Sequence, residues 1–388
     1  MGDRRFKSEP TAFDAVEFDA RVEQLRRSMR AAGVEVALFD EIESMTWLAG
    51  YGNSENRWRC VGIPLNAEPF FLIRALDAGA CRERTWIDDI HVFRDWEDPL
   101  PVLAVALAQR GLESARIGLD FGSYGMSVER FHRLGKTLPA ACLVDLGDIV
   151  WQLRLRKSPA ELELLRRAAT IADRAMERAA ASCVPGATQR DASAAASAAF
   201  YEFGADAGLP GPVSTGSGWD FLHRHPTDAP FVAGDVIHIE LTPRVRGYGA
   251  RLMRCVVIGT PSPALHDAAV RLRDLQDSQI DAMRPGAYAA DVDAILRQGV
   301  LQDGLRPSFD NITGYTLGLY ATAGPRTSDF TRCFHPFANW QLEPDMVFHM
   351  YASAQGVSWS ETVLVTENGP ERLTQLPRTL FINPISVP

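Results

Sequence analysis

The chain has 388 residues, 46% of them hydrophobic and 23% charged, the composition of a globular protein too long for one ordinary core, so two domains are expected. Forty lysines and arginines against forty-nine aspartates and glutamates leave a net charge of −9, which argues against the basic field that gathers nucleic acid or an anionic membrane. Six scattered cysteines with no CxxC pair read as reduced thiols of a cytoplasmic protein, and no stretch approaches a membrane span or a secretory leader.

Phe18 to Ala32 has helical periodicity, Val34 to Phe39 reads as a strand, and Val61 to Ile73 holds two strands around an Asn66-Ala67-Glu68 turn. Pro101 to Arg110 is helical, Ile117 to Asp120 a short strand, and Val128 to Leu134 a helix. This alternation predicts a small α/β layer domain over residues 1–154. No GxGxxG follows any of these strands, so dinucleotide binding is set aside. At Ser158-Pro159-Ala160-Glu161 a capping box opens the next helix, with proline at its first position. Leu164, Ala168, Ile171, Ala175 and Ala179 recur along it until Pro185-Gly186 ends the segment. A second helix covers Gln189 to Phe203; Val236 to Thr242 and Leu252 to Ile258 form a hairpin. Helices over Ala264 to Met283 and Ala289 to Leu301 precede strands at Val347 to Ser353 and Val357 to Thr366. Helix pairs among antiparallel strands predict an α+β second domain over 155–388.

Four phrases stand in fixed order in this second half: His223-Arg224-His225-Pro226-Thr227-Asp228, Gly234-Asp235-Val236-Ile237-His238-Ile239-Glu240, Gly314-Tyr315-Thr316-Leu317-Gly318, and Leu342-Glu343-Pro344-Asp345-Met346-Val347-Phe348 with Glu361-Thr362-Val363-Leu364-Val365-Thr366. Their order and spacing, with the capped helix after Arg156-Lys157, resemble the creatinase and aminopeptidase P superfamily over nearly the whole chain. The resemblance implies a small creatinase-like N-terminal α/β domain followed by a C-terminal pita-bread domain.

Most of that superfamily are metallopeptidases, and the resemblance implies two metal ions held by two aspartates, a histidine and two glutamates that activate a bridging water. Carried over one position at a time, these ligands fall on Glu240, Arg251, Tyr315, Tyr351 and Ser360. Only the first retains a metal-binding group, and Arg251 is a permanent cation. No metal and no cofactor is therefore expected, and a Glu240–Arg251 salt bridge is expected to fill part of the vacated space.

Creatinase is a metal-free member of the fold that uses a histidine as general acid and base. On that likeness His223 is the candidate catalytic base, an imidazole able to take a proton from water and return it to a leaving amine, against a plain surface-loop histidine. Glu240 is expected to orient water or the imidazole. His225 is read as loop structure. Arg326 lies where creatinase has a carboxylate-gripping arginine; the other reading pairs it with Asp329. Arg251 and Arg254 are further carboxylate clamps. Tyr315 and Tyr351 either pack the void or contact substrate. His349 alternates with Tyr351 onto the same strand face, as a site residue or a core histidine. Glu361 directly follows a ligand position and alternates to the other face, which leaves it the weaker candidate. Creatinase places a glutamate where Met253 stands here, so creatine itself is doubtful as substrate. Arg57, Trp58 and Arg59 follow the Asn53-Ser54-Glu55-Asn56 loop; they either begin a strand as an exposed basic pair or, as the likeness implies, reach into the partner's site of a homodimer.

The leading expectation is a metal-independent hydrolase that cleaves a non-peptide C–N bond in a small carboxylate-bearing molecule, with no nucleic-acid or membrane partner. Three alternatives stand beside it: a lyase or hydrolase of a small zwitterion such as dimethylsulfoniopropionate or ectoine, a non-enzymatic binding protein of the same fold, and an Xaa-Pro metallopeptidase, disfavoured by ligand loss.

Overall fold

The computed structural model describes residues 13–52, 56–320 and 326–385, and its first helix, Ala15–Ala32, starts where the Asp14 carboxylate accepts from Glu17 N and stops at left-handed Gly33. Six strands follow in the first half: β1 (Val36–Phe39), β2 (Cys60–Pro64), β3 (Phe70–Arg74), β4 (Asp89–Phe93), β5 (Arg116–Leu119) and β6 (Cys142–Asp145). They make one sheet in the order β4-β3-β2-β1-β5-β6. β1 is antiparallel to β2 and parallel to β5, so the sheet is mixed. Val36, Leu38, Phe70, Leu72, Leu103, Leu107, Ile117 and Leu119 form its core. The sequence reading omits β4 and β6, and the reason is physical. Both are edge strands whose side chains stay mostly exposed or half-buried, so neither carries the apolar run that marks a buried strand. It also omits the helix Ile42–Ala49.

Contacts divide the described residues into two compact units, the first ending at Arg154 and including Arg326 and Thr327, the second beginning at Leu155. That excursion of residues 326–327 departs from the continuous second domain expected from the sequence.

The second unit opens with the helix Pro159–Ser182, and the capping box forms as expected, Ser158 with Glu161. The helix Gln189–Glu202 follows, then β7 (Ala207–Leu209), β8 (Val213–Thr215), β9 (Val236–Val245), β10 (Tyr248–Gly249) and β11 (Leu252–Ile258). The helices Pro263–Asp281 and Ala289–Gln302 lead to β12 (Gly314–Thr316), β13 (Cys333–Phe334), β14 (Val347–Ala354), β15 (Val357–Thr366), β16 (Gly369–Arg372) and β17 (Phe381–Asn383). The sheet runs β10-β9-β11-β15-β14-β12-β13, with β7 and β8 on β9, β17 on β11 and β16 on β15. Pro159–Ser182 packs on β9 and β11, and Pro263–Asp281 on β14 and β15. Helices thus pack on a sheet that is antiparallel except where β17 runs parallel to β11. Gly314 lets β12 approach β14: a Cβ there would lie 2.4 Å from Met350 Sδ and 3.0 Å from the His349 carbonyl. That approach sets the next residue, Tyr315, directly opposite His349.

Candidate active site

Strand register gathers the expected positions on one face. Glu240 on β9 pairs with Met253 on β11, Met253 with Ser360 on β15, and Ser360 with Tyr351 on β14. Tyr315 on β12 pairs with His349, which pairs on its other side with Thr362. Residues opposite one another across a ladder point to the same side. Arg251, two residues before Met253, shares its parity.

Arg251 Nη1 donates to Glu240 Oε1 at 2.9 Å and also to the Tyr315 hydroxyl. The expected salt bridge is therefore present, and the guanidinium carbon stands 5.5 Å from the Tyr315 ring centroid. Thr362, given no role in the sequence reading, fixes the backbone beneath it: its hydroxyl accepts from Arg251 N at 2.9 Å and donates to Arg251 O at 3.0 Å. His349 stacks on Tyr351 with centroids 5.3 Å apart and meets the Tyr315 ring edge-on at 5.1 Å.

Burial raises the Glu240 carboxyl above its ordinary range, against the opposing pull of Arg251 and of His223. Burial also works against the Arg251 cation, yet Tyr315 and Glu240 outweigh it and hold the guanidinium charged. Burial, reinforced by Arg251 and His238, drives His349 well below the usual imidazole range, so its ring is neutral. Burial pushes the Tyr315 phenol up, and Tyr351 up to about 12. The result is one fixed cation, one buried carboxylate and a set of neutral rings. Both ring nitrogens of His349 and the Ser360 hydroxyl are buried here without a hydrogen-bond partner among the described residues.

These residues do not fit a pair of divalent cations. The one carboxylate is engaged by a guanidinium, phenols stand at two other ligand positions, and among the described residues no cluster of three His, Cys, Asp or Glu side chains forms.

Other expected site residues lie elsewhere. Arg254 alternates to the face opposite Arg251, fully buried, where Nη2 donates to Glu361 Oε1 at 2.9 Å. Arg378 and Thr374 also bind Glu361. Arg254 and Glu361 are thus an internal ion pair with no free edge for a substrate. Trp58 and Arg59 are buried in the first unit, Trp58 Nε1 donating to Asp40 Oδ2 and Arg59 to the Asp40 carbonyl, each at 2.8 Å. Arg59 is therefore not half of an exposed basic pair with Arg57. Arg57 is exposed, and residues 53–55 of its loop lie outside the described residues. Arg326 pairs with Glu41 of the first unit at 2.9 Å and covers the Trp151 ring, instead of pairing with Asp329. His223 and His225 are exposed in the connection between β8 and β9. Asn311, also missed, lies within 3.4 Å of the Tyr351 hydroxyl; it sits in an irregular connection where no periodicity marks it.

Residues 163–367 match the model of metallopeptidase family M24, and residues 21–156 match the creatinase/prolidase N-terminal domain. The chain belongs to the M24 family. Its architecture is that of the creatinase and aminopeptidase P superfamily, a creatinase N-terminal domain followed by a pita-bread domain. Among curated relatives, the ectoine hydrolase of Halomonas elongata is 27% identical across 95% of this chain and 98% of its own. The dipeptidase PepE of Mycobacterium ulcerans superposes with a TM-score of 0.80 at 25% identity, covering 96% of this chain and 99% of that one. A prolidase from Thermococcus sibiricus reaches 0.83 at 20% identity over 95% of this chain and all of its own, a likeness of fold. This M24 chain thus keeps the family scaffold, and the positions that the resemblance assigns to metal ligands hold Glu240, Arg251, Tyr315, Tyr351 and Ser360.

Proposed function

We propose that this M24 protein is a metal-independent hydrolase of a C–N bond in a small, non-peptide, carboxylate-bearing molecule. The observation that carries the reading is the Arg251 guanidinium, bonded to Glu240 and Tyr315 where family members hold metal. The similarity to an ectoine hydrolase over nearly both full lengths supports the substrate class.

In this reading His223 takes a proton from water as the oxygen bonds to the substrate carbon, then delivers it to the departing nitrogen as the C–N bond breaks. The net change is addition of one water across the bond. The His223 imidazole acts electrostatically on the Glu240 carboxyl, and in this reading Glu240 orients the water or the imidazole. Arg251 stays charged throughout and supplies fixed positive potential toward developing negative charge on the substrate. Without a metal to acidify water, rate comes from positioning and from preorganised charge. Tyr315 and Tyr351 wall the site and donate hydrogen bonds.

The test is hydrolysis of ectoine, a carboxylate-bearing cyclic amidine, and of related amidine and amide acids, with and without a strong chelator. Turnover unaffected by the chelator is expected, with metal content well below one ion per chain. His223→Ala should lower kcat by about 10²–10⁴-fold without changing the melting temperature. Two metal ions per chain with chelator-sensitive activity, or an undiminished His223→Ala rate, would sink the reading.

A further inference from the structure

Arg306 lies in the connection between the helix Ala289–Gln302 and β12 and is 2% exposed. Its guanidinium carbon is 4.1 Å from the Trp219 ring centroid and 4.0 Å from that of Phe309. Nε donates to the Ser308 carbonyl at 3.1 Å and Nη1 to Asn311 Oδ1 at 2.9 Å. Nη2 is buried and has no hydrogen-bond partner among the described residues.

Four other arginines of this unit, three buried and one half-buried, show the usual arrangement. Arg251 holds Glu240, Arg254 holds Glu361, Arg297 holds Asp293 and Arg378 holds Asp277. Arg306 forms no ion pair among the described residues. The neighbouring carboxylate, Asp310, is exposed and accepts from Ser308 Oγ at 2.6 Å. Burial lowers the Arg306 pKa to about 10, which still leaves the group charged at neutral pH. A buried cation is normally matched by an anion, and a guanidinium with an unused N–H edge suits a carboxylate oxygen.

Position ties this cation to the site. Asn311, which accepts from Arg306, has its amide nitrogen 3.4 Å from the Tyr351 hydroxyl, so one residue separates Arg306 from the aromatic cavity wall. Trp219, half-buried over the guanidinium, precedes His223 by four residues in the same irregular connection.

We propose that Arg306 is the receptor for the anionic group of the ligand, a small carboxylate, with Trp219 stacked on it as a cover. The missing counter-ion of the protein is then the ligand itself. This rests on the hydrolase reading only in equating that ligand with a substrate, and carboxylate recognition is measurable without turnover.

The probes are N-acetylglycine and its uncharged counterpart N-acetylglycinamide, titrated calorimetrically into the full-length protein at constant ionic strength. The wild type should bind the acid at least tenfold more tightly than the amide. Arg306→Met should weaken the acid at least tenfold and abolish the discrimination. Arg306→Lys keeps a buried cation but not the fork, and should lose at least threefold; it carries the test if the methionine variant does not fold. Arg178→Met, at an exposed surface ion pair, should leave the discrimination intact. Equal binding of acid and amide by the wild type, no binding of the acid, or discrimination preserved in the Arg306 variants would each overturn the proposal. Intact discrimination without hydrolysis of any substrate would sink the proposed function and leave this carboxylate site standing.

Discussion

Replacing Arg251 with methionine removes the guanidinium bonded to Glu240 while roughly conserving side-chain volume. Glu240 is 3% exposed, and its carboxylate would lose the 2.9 Å charge-assisted bond from Nη1; the Tyr315 hydroxyl would lose a donor in the same step. Stripping one partner from a buried ion pair costs about 3–5 kcal/mol, because the remaining charge stays desolvated. For a unit of this size that corresponds to a fall of about 6–20 °C in melting temperature. Neutralising both partners, in Arg251→Met with Glu240→Gln, should recover most of the loss and bring stability within about 2 kcal/mol of wild type.

The pH dependence gives a second, independent readout. Burial already raises the Glu240 carboxyl in the folded protein, with Arg251 pulling it down, so deleting Arg251 raises it further. A carboxyl whose folded value exceeds its unfolded value binds more protons folded than unfolded, and stability falls as pH rises between the two. The single variant should therefore lose stability relative to the double variant as pH climbs above the ordinary glutamate range, and converge with it in acid. Chemical denaturation across that range measures both. A single-variant loss under about 1 kcal/mol, or a gap between the variants that does not change with pH, would refute the idea that Arg251 is the counter-charge of a buried glutamate.

Glu361→Gln leaves Arg254 and Arg378 buried without their shared anion; a loss of about 3–5 kcal/mol is expected, with KM unchanged at temperatures where the variant is folded. A raised KM without lost stability would return Arg254 and Glu361 to the substrate site. Burial lifts Glu41 to about 7 against the opposing pull of Arg326 and Trp151. Its contribution to stability therefore declines as pH rises from about 4.5 to 7, and Glu41→Gln should flatten the stability profile in that window. Matching profiles for variant and wild type would show that Glu41 titrates alike folded and unfolded.

Local rules made much of this molecule readable. Ser158 and Glu161 announce their capping box three residues apart, while the Glu240–Arg251 salt bridge that forms is legible only through the ligand positions that the family resemblance implies. Strand alternation also predicts that Arg254 faces away from Arg251, and the sequence reading erred by weighing its charge above its parity. Other errors have no local signal. Arg326 and Glu41 pair across 285 residues, a partnership that no window-based pattern encodes. Arg59 looks exposed beside Arg57 because a short strand buried on both faces offers no alternation; its guanidinium finds the Asp40 carbonyl only through the fold. Arg306, Trp219 and Asn311 sit in irregular connections, where residue type alone gives no hint of a stacked, unmatched cation.

In the proposed metal-independent reading, one guanidinium in place of two metals narrows the chemistry the site can perform. Metal ions lower the pKa of bound water and so create a nucleophile near neutral pH; a guanidinium attracts negative charge but neither deprotonates nor acidifies water to that degree. A proton acceptor must come from another side chain. The phenols of Tyr315 and Tyr351 are pushed up by burial and remain protonated, and the neutral His349 resists protonation because burial and Arg251 oppose a second positive charge beside it. Glu240 is committed through Oε1 to Arg251. In the proposed mechanism that leaves His223, exposed in the connection between β8 and β9, to carry the proton. The proposal thereby separates the buried Arg251–Glu240 ion pair within the sheet from proton transfer by a loop residue.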